Sequence, residues 1–294
     1  MDSKMNDSVL RPITEEFVEV FETFMNDNQK NKIRANNVRQ YVEGIIDLLL
    51  KDKIMCALNS NEDYAGVNWS RKIKILKENY DESIAENIQE IFRIGGDGSH
   101  FNGQVKDDNL HLIINKAIHI VEDIFVKYFL VPEHRFGSED IFTIFSMLPL
   151  HQRIYILENV TKHYTNEHIV DRLSLAYAKS GGMNKAITFL EKSLQEKVIS
   201  KEFYNYQLEK ITILSSNLTE LYEKNQAYEN DPEHSKGLIV GNHLVMGFPT
   251  SKDVFDTAKA VKIFSNWIEA KKDKYPEFIN LFLYLMQTDE RQYK

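Results

Sequence analysis

Residues 110–129 read LHLIINKAIHIVEDIFVKYF, and their periodicity decides the fold class. Leu110, Ile113, Ile114, Ala117, Val121, Ile124, Phe125 and Tyr128 recur at the three-and-four spacing that lines one side of a helix. Asp107 or Asp108 supplies acidic residues at its start, where the helix dipole favours them. His119, Glu122, Asp123 and Lys127 interrupt the apolar run, so it is a buried bundle helix and not a membrane span.

The same period recurs on the N-terminal side. Thr14 is the expected N-cap of a helix Glu15–Met25 with the stripe Phe17, Val20, Phe21, Phe24. A second helix is expected over Ile33–Lys51, a basic one over Trp69–Asn79, and a fourth over Glu82–Ile94 with Asp81 as its cap. After Ile94 the run Gly95-Gly96-Asp97-Gly98-Ser99-His100-Phe101-Asn102-Gly103 reads as a glycine-rich break. Amphipathic helices joined this way bury their stripes as a bundle. Pro132 to Gly137 marks a boundary, giving domains 1–132 and 133–294.

Beyond that boundary helices are shorter and pair. The string LSLAYAKSGGMNKAITFLEKSL, 173–194, resembles one tetratricopeptide repeat. Leu173, Tyr177, Ala186 and Leu190 match its leucine, tyrosine, alanine and large apolar positions. Ser174, Ser193 and Val198 depart from its glycine, second alanine and closing proline. A TPR-like helical hairpin is therefore expected around 165–197, flanked by His151–Tyr164 and Phe203–Glu223. Gly237–His243 suggest a short strand or ordered loop within a segment, 237–248, whose role stays open, and further helices are expected over Lys252–Lys271 and Pro276–Gln287. The whole is all-α.

Composition narrows the function. The chain has 294 residues, 43% hydrophobic and 27% charged, with a formal net charge of −8. Residues 1–29 hold 2 basic and 7 acidic side chains, so the acidity is concentrated there and the rest is nearly balanced. A nucleic-acid coat protein is thereby disfavoured, while a local basic groove is compatible. One cysteine, Cys56, excludes an internal disulfide and a thiolate zinc site. With no signal peptide or membrane span legible, a cytoplasmic protein without a membrane role is expected. The glycine run lacks the Gly-Lys-Ser/Thr ending of a phosphate loop, and no His-Glu-x-x-His or Glu-x-x-His motif offers a metal site. No cofactor or metal is expected.

One constellation carries chemistry: Arg93, six residues, then His100. With Arg39-x-x-x-Glu43 upstream, the run Arg93-Ile94-Gly95-Gly96-Asp97-Gly98-Ser99-His100, and the long helix after it, residues 39–129 resemble uncharacterised bacterial domains of the HEPN superfamily. Gly96 stands where those domains have asparagine. The resemblance implies a metal-independent endoribonuclease of toxin or antiviral-defence type, acting on RNA such as tRNA at the interface of a homodimer. Histidine suits proton transfer near neutrality, and arginine offers a fork of donors to phosphate oxygens. On that reading His100 moves the 2′-hydroxyl proton and Arg93 stabilises the phosphorane. Asp97 or Ser99 orients the histidine or substrate, and Arg39 with Glu43 braces the pair.

The alternative is an interaction or regulatory module binding a protein, RNA or nucleotide without chemistry, its C-terminal domain gripping a partner. Then Arg93 pairs with Glu90 or Glu43, His100 is an interface histidine, and the glycines mark only a kinked connection. Arg39 and Glu43, one turn apart, are in any case expected to form an ion pair. Trp69 and Trp267 read as packing residues, and His111, His119 and His243 as structural or exposed.

Overall fold

The computed structural model describes residues 15–99, 104–136, 141, 145, 146, 148, 150–227, 266 and 268–287. Among these residues it is all-helical, with twelve α-helices, one 3₁₀ turn and no strand. No described helix is long and apolar enough to cross a membrane. The chain divides into two compact units between Lys127 and Tyr128.

The first unit holds α1 (Glu15–Met25), α2 (Asn31–Leu49), α3 (Lys51–Cys56), α4 (Trp69–Asn79), α5 (Glu82–Ser99), α6 (Asp107–Ile118) and most of α7 (Ile120–Leu130). Its centre is α2, which packs against α1, α5 and α6. Ala35, Val38, Val42, Ile45 and Ile46 are fully buried along it, spaced as one side of a helix. Phe17, Phe21 and Phe24 of α1 surround Tyr41 of α2 with ring centroids 5.5–6.2 Å apart. Buried Arg34 fixes the α1–α2 corner. Its Nε donates to the Phe24 carbonyl at 2.8 Å and its guanidinium meets Asp27 at 2.8 Å.

Three expected boundaries are corrected. First, the helix expected over Ile33–Lys51 is two helices, because Leu50 leaves helical geometry at φ −120°, ψ 0° and starts α3. Second, the long helix after Asp107 breaks at His119, with φ −101°, ψ 1°. The His119 carbonyl then accepts the first bond of α7 from Asp123 N–H at 2.9 Å. The stripe survives on both sides of this break, so period alone reads one helix. Burial pushes the His119 imidazole below its ordinary pKa.

Third, α5 does not end at Ile94 but runs through Gly95, Gly96, Asp97 and Gly98 to Ser99. The glycines are a contact surface. A Cβ on Gly95 would stand 2.7 Å from Arg39 Cβ and 2.9 Å from the Ala35 carbonyl oxygen. One on Gly98 would stand 2.7 Å from the Lys32 carbonyl oxygen and 3.3 Å from Ala35 Cβ. Gly95 and Gly98, three apart, flatten one face of α5 so that α2 approaches backbone to backbone. The intrinsic cost of glycine in a helix, about 1 kcal/mol each, is overridden by this packing.

Asp81 does cap α5, its carboxylate accepting from Ile84 N–H at 3.0 Å. Asn68 caps α4 in the same way through Arg71 N–H at 3.0 Å. The expected Thr14 cap lies outside the described residues.

The second unit contains α8 (Leu150–Thr161), α9 (Glu167–Lys179), α10 (Met183–Gln195), α11 (Lys201–Ala227) and α12 (Pro276–Gln287). The expected hairpin is α9 and α10. Leu173, Tyr177, Ala186 and Leu190 are all buried. Gly181 takes φ +77° in the turn, where any other L-residue would be strained. α8 packs on α9, and α11 packs on both α9 and α10, so short connections set each helix beside its sequence neighbour. Residues 237–248 and Trp267 lie outside the described residues.

Asn166 is the hinge of this arrangement. Its Oδ1 accepts from Ile169 N–H at 3.0 Å and its Nδ2 donates to the Phe136 carbonyl at 3.1 Å. Asn166→Ala removes both bonds at once and is expected to lower stability by about 1–2 kcal/mol. A urea titration in which the variant keeps the wild-type midpoint contradicts this role.

A candidate phosphate-binding groove on the first unit

α4 and α5 lie side by side and leave between them a groove of about 510 Å³. Arg39, Trp69, Ser70, Ile73, Lys74, Lys77, Gln89, Phe92 and Arg93 line it. Helical spacing assembles the wall. Trp69, Ile73 and Lys77 follow one another at four-residue steps on α4, and Gln89, Phe92 and Arg93 share a face of α5. The floor is aromatic: Trp69 and Phe92 are half-buried, with ring centroids 4.9 Å apart at 55°. Trp69 therefore packs, as expected, and also presents a face to the groove.

Four cations border that floor, each with a carboxylate near it. The Arg39 guanidinium lies 5.1 Å from the centre of the Phe92 ring, and its Nε donates to Glu43 Oε1 at 2.8 Å. The expected Arg39–Glu43 ion pair is thus present. Lys77 meets Glu86 at 2.7 Å and Glu82 at 3.0 Å, and these bonds raise its pKa above the ordinary lysine value. Lys74 and Arg93 are held more loosely, 3.7 Å from Glu78 and 3.9 Å from Glu90. The other oxygen of Glu90 is taken by Lys116 at 2.6 Å.

Arg93 is 62% exposed at the side chain. Such a guanidinium reaches an incoming phosphate without first breaking a close ion pair, and its fork suits two phosphate oxygens. Asp97 is exposed one turn further along α5, on the face of Arg93. Ser99 is the last residue of α5. His100 lies outside the described residues. The structure therefore brings Arg39 and Arg93 to one groove, with Glu43 reached only as the ion-pair partner of Arg39, and sets Asp97 on the same helix as Arg93.

Trp69, Phe92, Lys74 and Lys77 were not among the expected site residues. The signal for three of them was present as basic residues interleaved with an aromatic on one helix, WSRKIKILKEN, while Phe92 lies on α5. It becomes readable only once α4 is placed beside α5. Among the described residues, no group of three His, Cys, Asp or Glu side chains gathers as a metal site. Compared with protein-family models, curated proteins and solved structures, the chain matches none.

Proposed function

We propose that the first unit is a HEPN-like, phosphate-directed RNA-cleaving domain, working without a metal and assembling its site from Arg93 and His100. The observation that carries this reading is the groove itself, where two aromatic rings lie between four cationic side chains. Unpaired bases stack on such rings while the cations follow the phosphates. RNA brings its own nucleophile, the 2′-hydroxyl. Cleavage then requires a group to take its proton and a cation for the charge developing on phosphorus. His100 fills the first role and Arg93 the second. Asp97, and Ser99 after it, orient the histidine or the strand. Arg39, fixed by Glu43 and Phe92, holds the groove open beside Arg93. In a homodimer two such pairs line one cleft, and the helical hairpins of the second unit bind the partner or trigger of a toxin or antiviral-defence effector.

The test is cleavage of a mixed RNA pool, tRNA included, by purified protein in EDTA. Products ending in 2′,3′-cyclic phosphate, lost in Arg93→Ala and His100→Ala, establish the reading. A folded protein that binds the pool but leaves it intact overturns it.

A second reading is favoured by the carboxylate beside every groove cation, which weakens the local field: a groove that holds RNA or a nucleotide by stacking, without chemistry. Both readings require Trp69. Trp69→Ala is expected to weaken single-stranded RNA binding by about 1–3 kcal/mol per stacked base, measured by fluorescence anisotropy. Equal affinities for the two proteins argue against a base on this ring.

A further inference from the structure

Lys116 of α6 stands outside the groove lining but reaches the residue that borders Arg93. Its Nζ donates to Glu90 Oε2 at 2.6 Å and to Asn87 Oδ1 at 2.7 Å. Asn87 and Glu90 are three residues apart on α5 and share one of its faces, so both converge on a single ammonium. The Lys116 side chain is 23% exposed and that of Glu90 33%. The contact is a part-buried clasp from α6 onto α5.

Glu90 is also the acidic neighbour of Arg93. Oppositely charged side chains three or four positions apart on a helix pair readily, and Arg39 comes within 2.8 Å of Glu43 in this way on α2. Glu90 Oε1 instead stays 3.9 Å from Arg93 Nη2, beyond hydrogen-bond distance. The reason lies on its other oxygen, where a short charge-assisted bond to Lys116 fixes the carboxylate's orientation. The Lys74–Glu78 pair is loose at 3.7 Å for a different reason: both ends are at least half exposed, and such surface pairs are weak. Glu90 is pinned from the α6 side.

We propose that Lys116 is a positioning residue for Arg93. It holds the Glu90 carboxylate toward α6, offsets its charge, and so keeps the Arg93 guanidinium open to a phosphate of single-stranded RNA in the groove. This rests on the groove binding RNA through Arg93, which both readings of its function share. Without Lys116, Glu90 turns to Arg93 and competes with the phosphate for the same N–H groups. An element that forms no part of the groove thereby sets how available its exposed arginine is.

The experiment measures binding of a single-stranded 2′-O-methyl RNA oligonucleotide to full-length protein by fluorescence anisotropy. Such an oligonucleotide has no free 2′-hydroxyl and stays intact throughout. Lys116→Met is expected to weaken binding about twofold to fivefold, the worth of the ion pair that Glu90 then makes with Arg93. Lys116→Arg keeps a cation on Glu90 and should keep the affinity. Glu90→Gln should bind at least as tightly as wild type. With Glu90→Gln already present, Lys116→Met should have no further effect, because no carboxylate is left to turn. Thermal melting verifies folding, and Lys116→Gln, which retains a donor for Asn87, takes the place of Lys116→Met if that variant does not fold. Unchanged affinity in Lys116→Met overturns the proposal. An equal loss with and without Glu90→Gln also overturns it, since Lys116 then acts by its own charge or by packing. If wild type binds no better than Arg93→Ala, the groove reading itself falls and this role falls with it.

Discussion

If the first unit cleaves RNA as proposed, Arg93→Ala is expected to lower that rate by about a hundredfold to a thousandfold, the usual loss when one preorganised donor to a developing oxyanion is removed. His100→Ala is expected to cost about 10²- to 10⁴-fold as a lost general acid–base. The geometry around Arg93 separates its role from a structural one. The side chain is 62% exposed and meets Glu90 only at 3.9 Å, so truncating it removes little packing and the melting temperature should stay near wild type. Arg93→Lys keeps the charge but not the fork of donors, and should recover only part of the rate. The readout is single-turnover cleavage at saturating protein. A loss confined to RNA affinity, with the rate at saturation unchanged, would demote Arg93 from catalysis to binding. On the proposed reading the two groups serve one transition state, so the double variant should be no slower than the slower single one.

Gly98→Val is expected to destabilise the first unit by about 3 kcal/mol, the upper end for forcing atoms into a packed contact. The first added carbon already stands 2.7 Å from the Lys32 carbonyl oxygen. That obstacle is backbone, so no rotamer change relieves it and α2 must move away from α5. Gly95→Ala meets the Ala35 carbonyl oxygen at 2.9 Å and Arg39 Cβ at 2.7 Å, and should also destabilise, by about 1–2 kcal/mol. It would displace Arg39 from Phe92 as well, and so disturb the groove. Gly96→Ala is the opposite case. Its nearest neighbour outside the helix is Arg39 Nη1 at 3.7 Å, so the variant should gain up to about 1 kcal/mol from helix propensity. Urea midpoints for the three variants check the ordering. A destabilised Gly96→Ala alongside a neutral Gly98→Val would mean that α5 ends before these glycines.

The glycine run shows where sequence reading stops. Gly95, Gly96 and Gly98 carry no side chain, hence no period, and are compatible with a loop, a kink or a close helix crossing. Only the position of Ala35 and Lys32 on α2 decides among these. His119 and Leu50 show the converse. Each interrupts a helix without interrupting the apolar stripe around it, since a one-residue departure from helical geometry leaves neighbouring turns nearly in phase.

Other elements were legible because their determinants are local. The ends of α1, α4 and α12 fall where period and start residues place them. Asp81 caps α5, and Ser180-Gly181-Gly182 turns the α9–α10 hairpin with Gly181 at positive φ. Arg39 and Glu43 pair because four residues make one helical turn. The sequence by itself thus determined the all-helical class and most helix positions and faces. Tertiary structure alone decided that α5 continues to Ser99, that Trp69, Lys74 and Lys77 border the same groove as Arg93, and that Lys116 of α6 holds Glu90 beside Arg93. Those facts depend on which side of one helix meets which side of another. Side-chain spacing along a single helix specifies a face but not its neighbour.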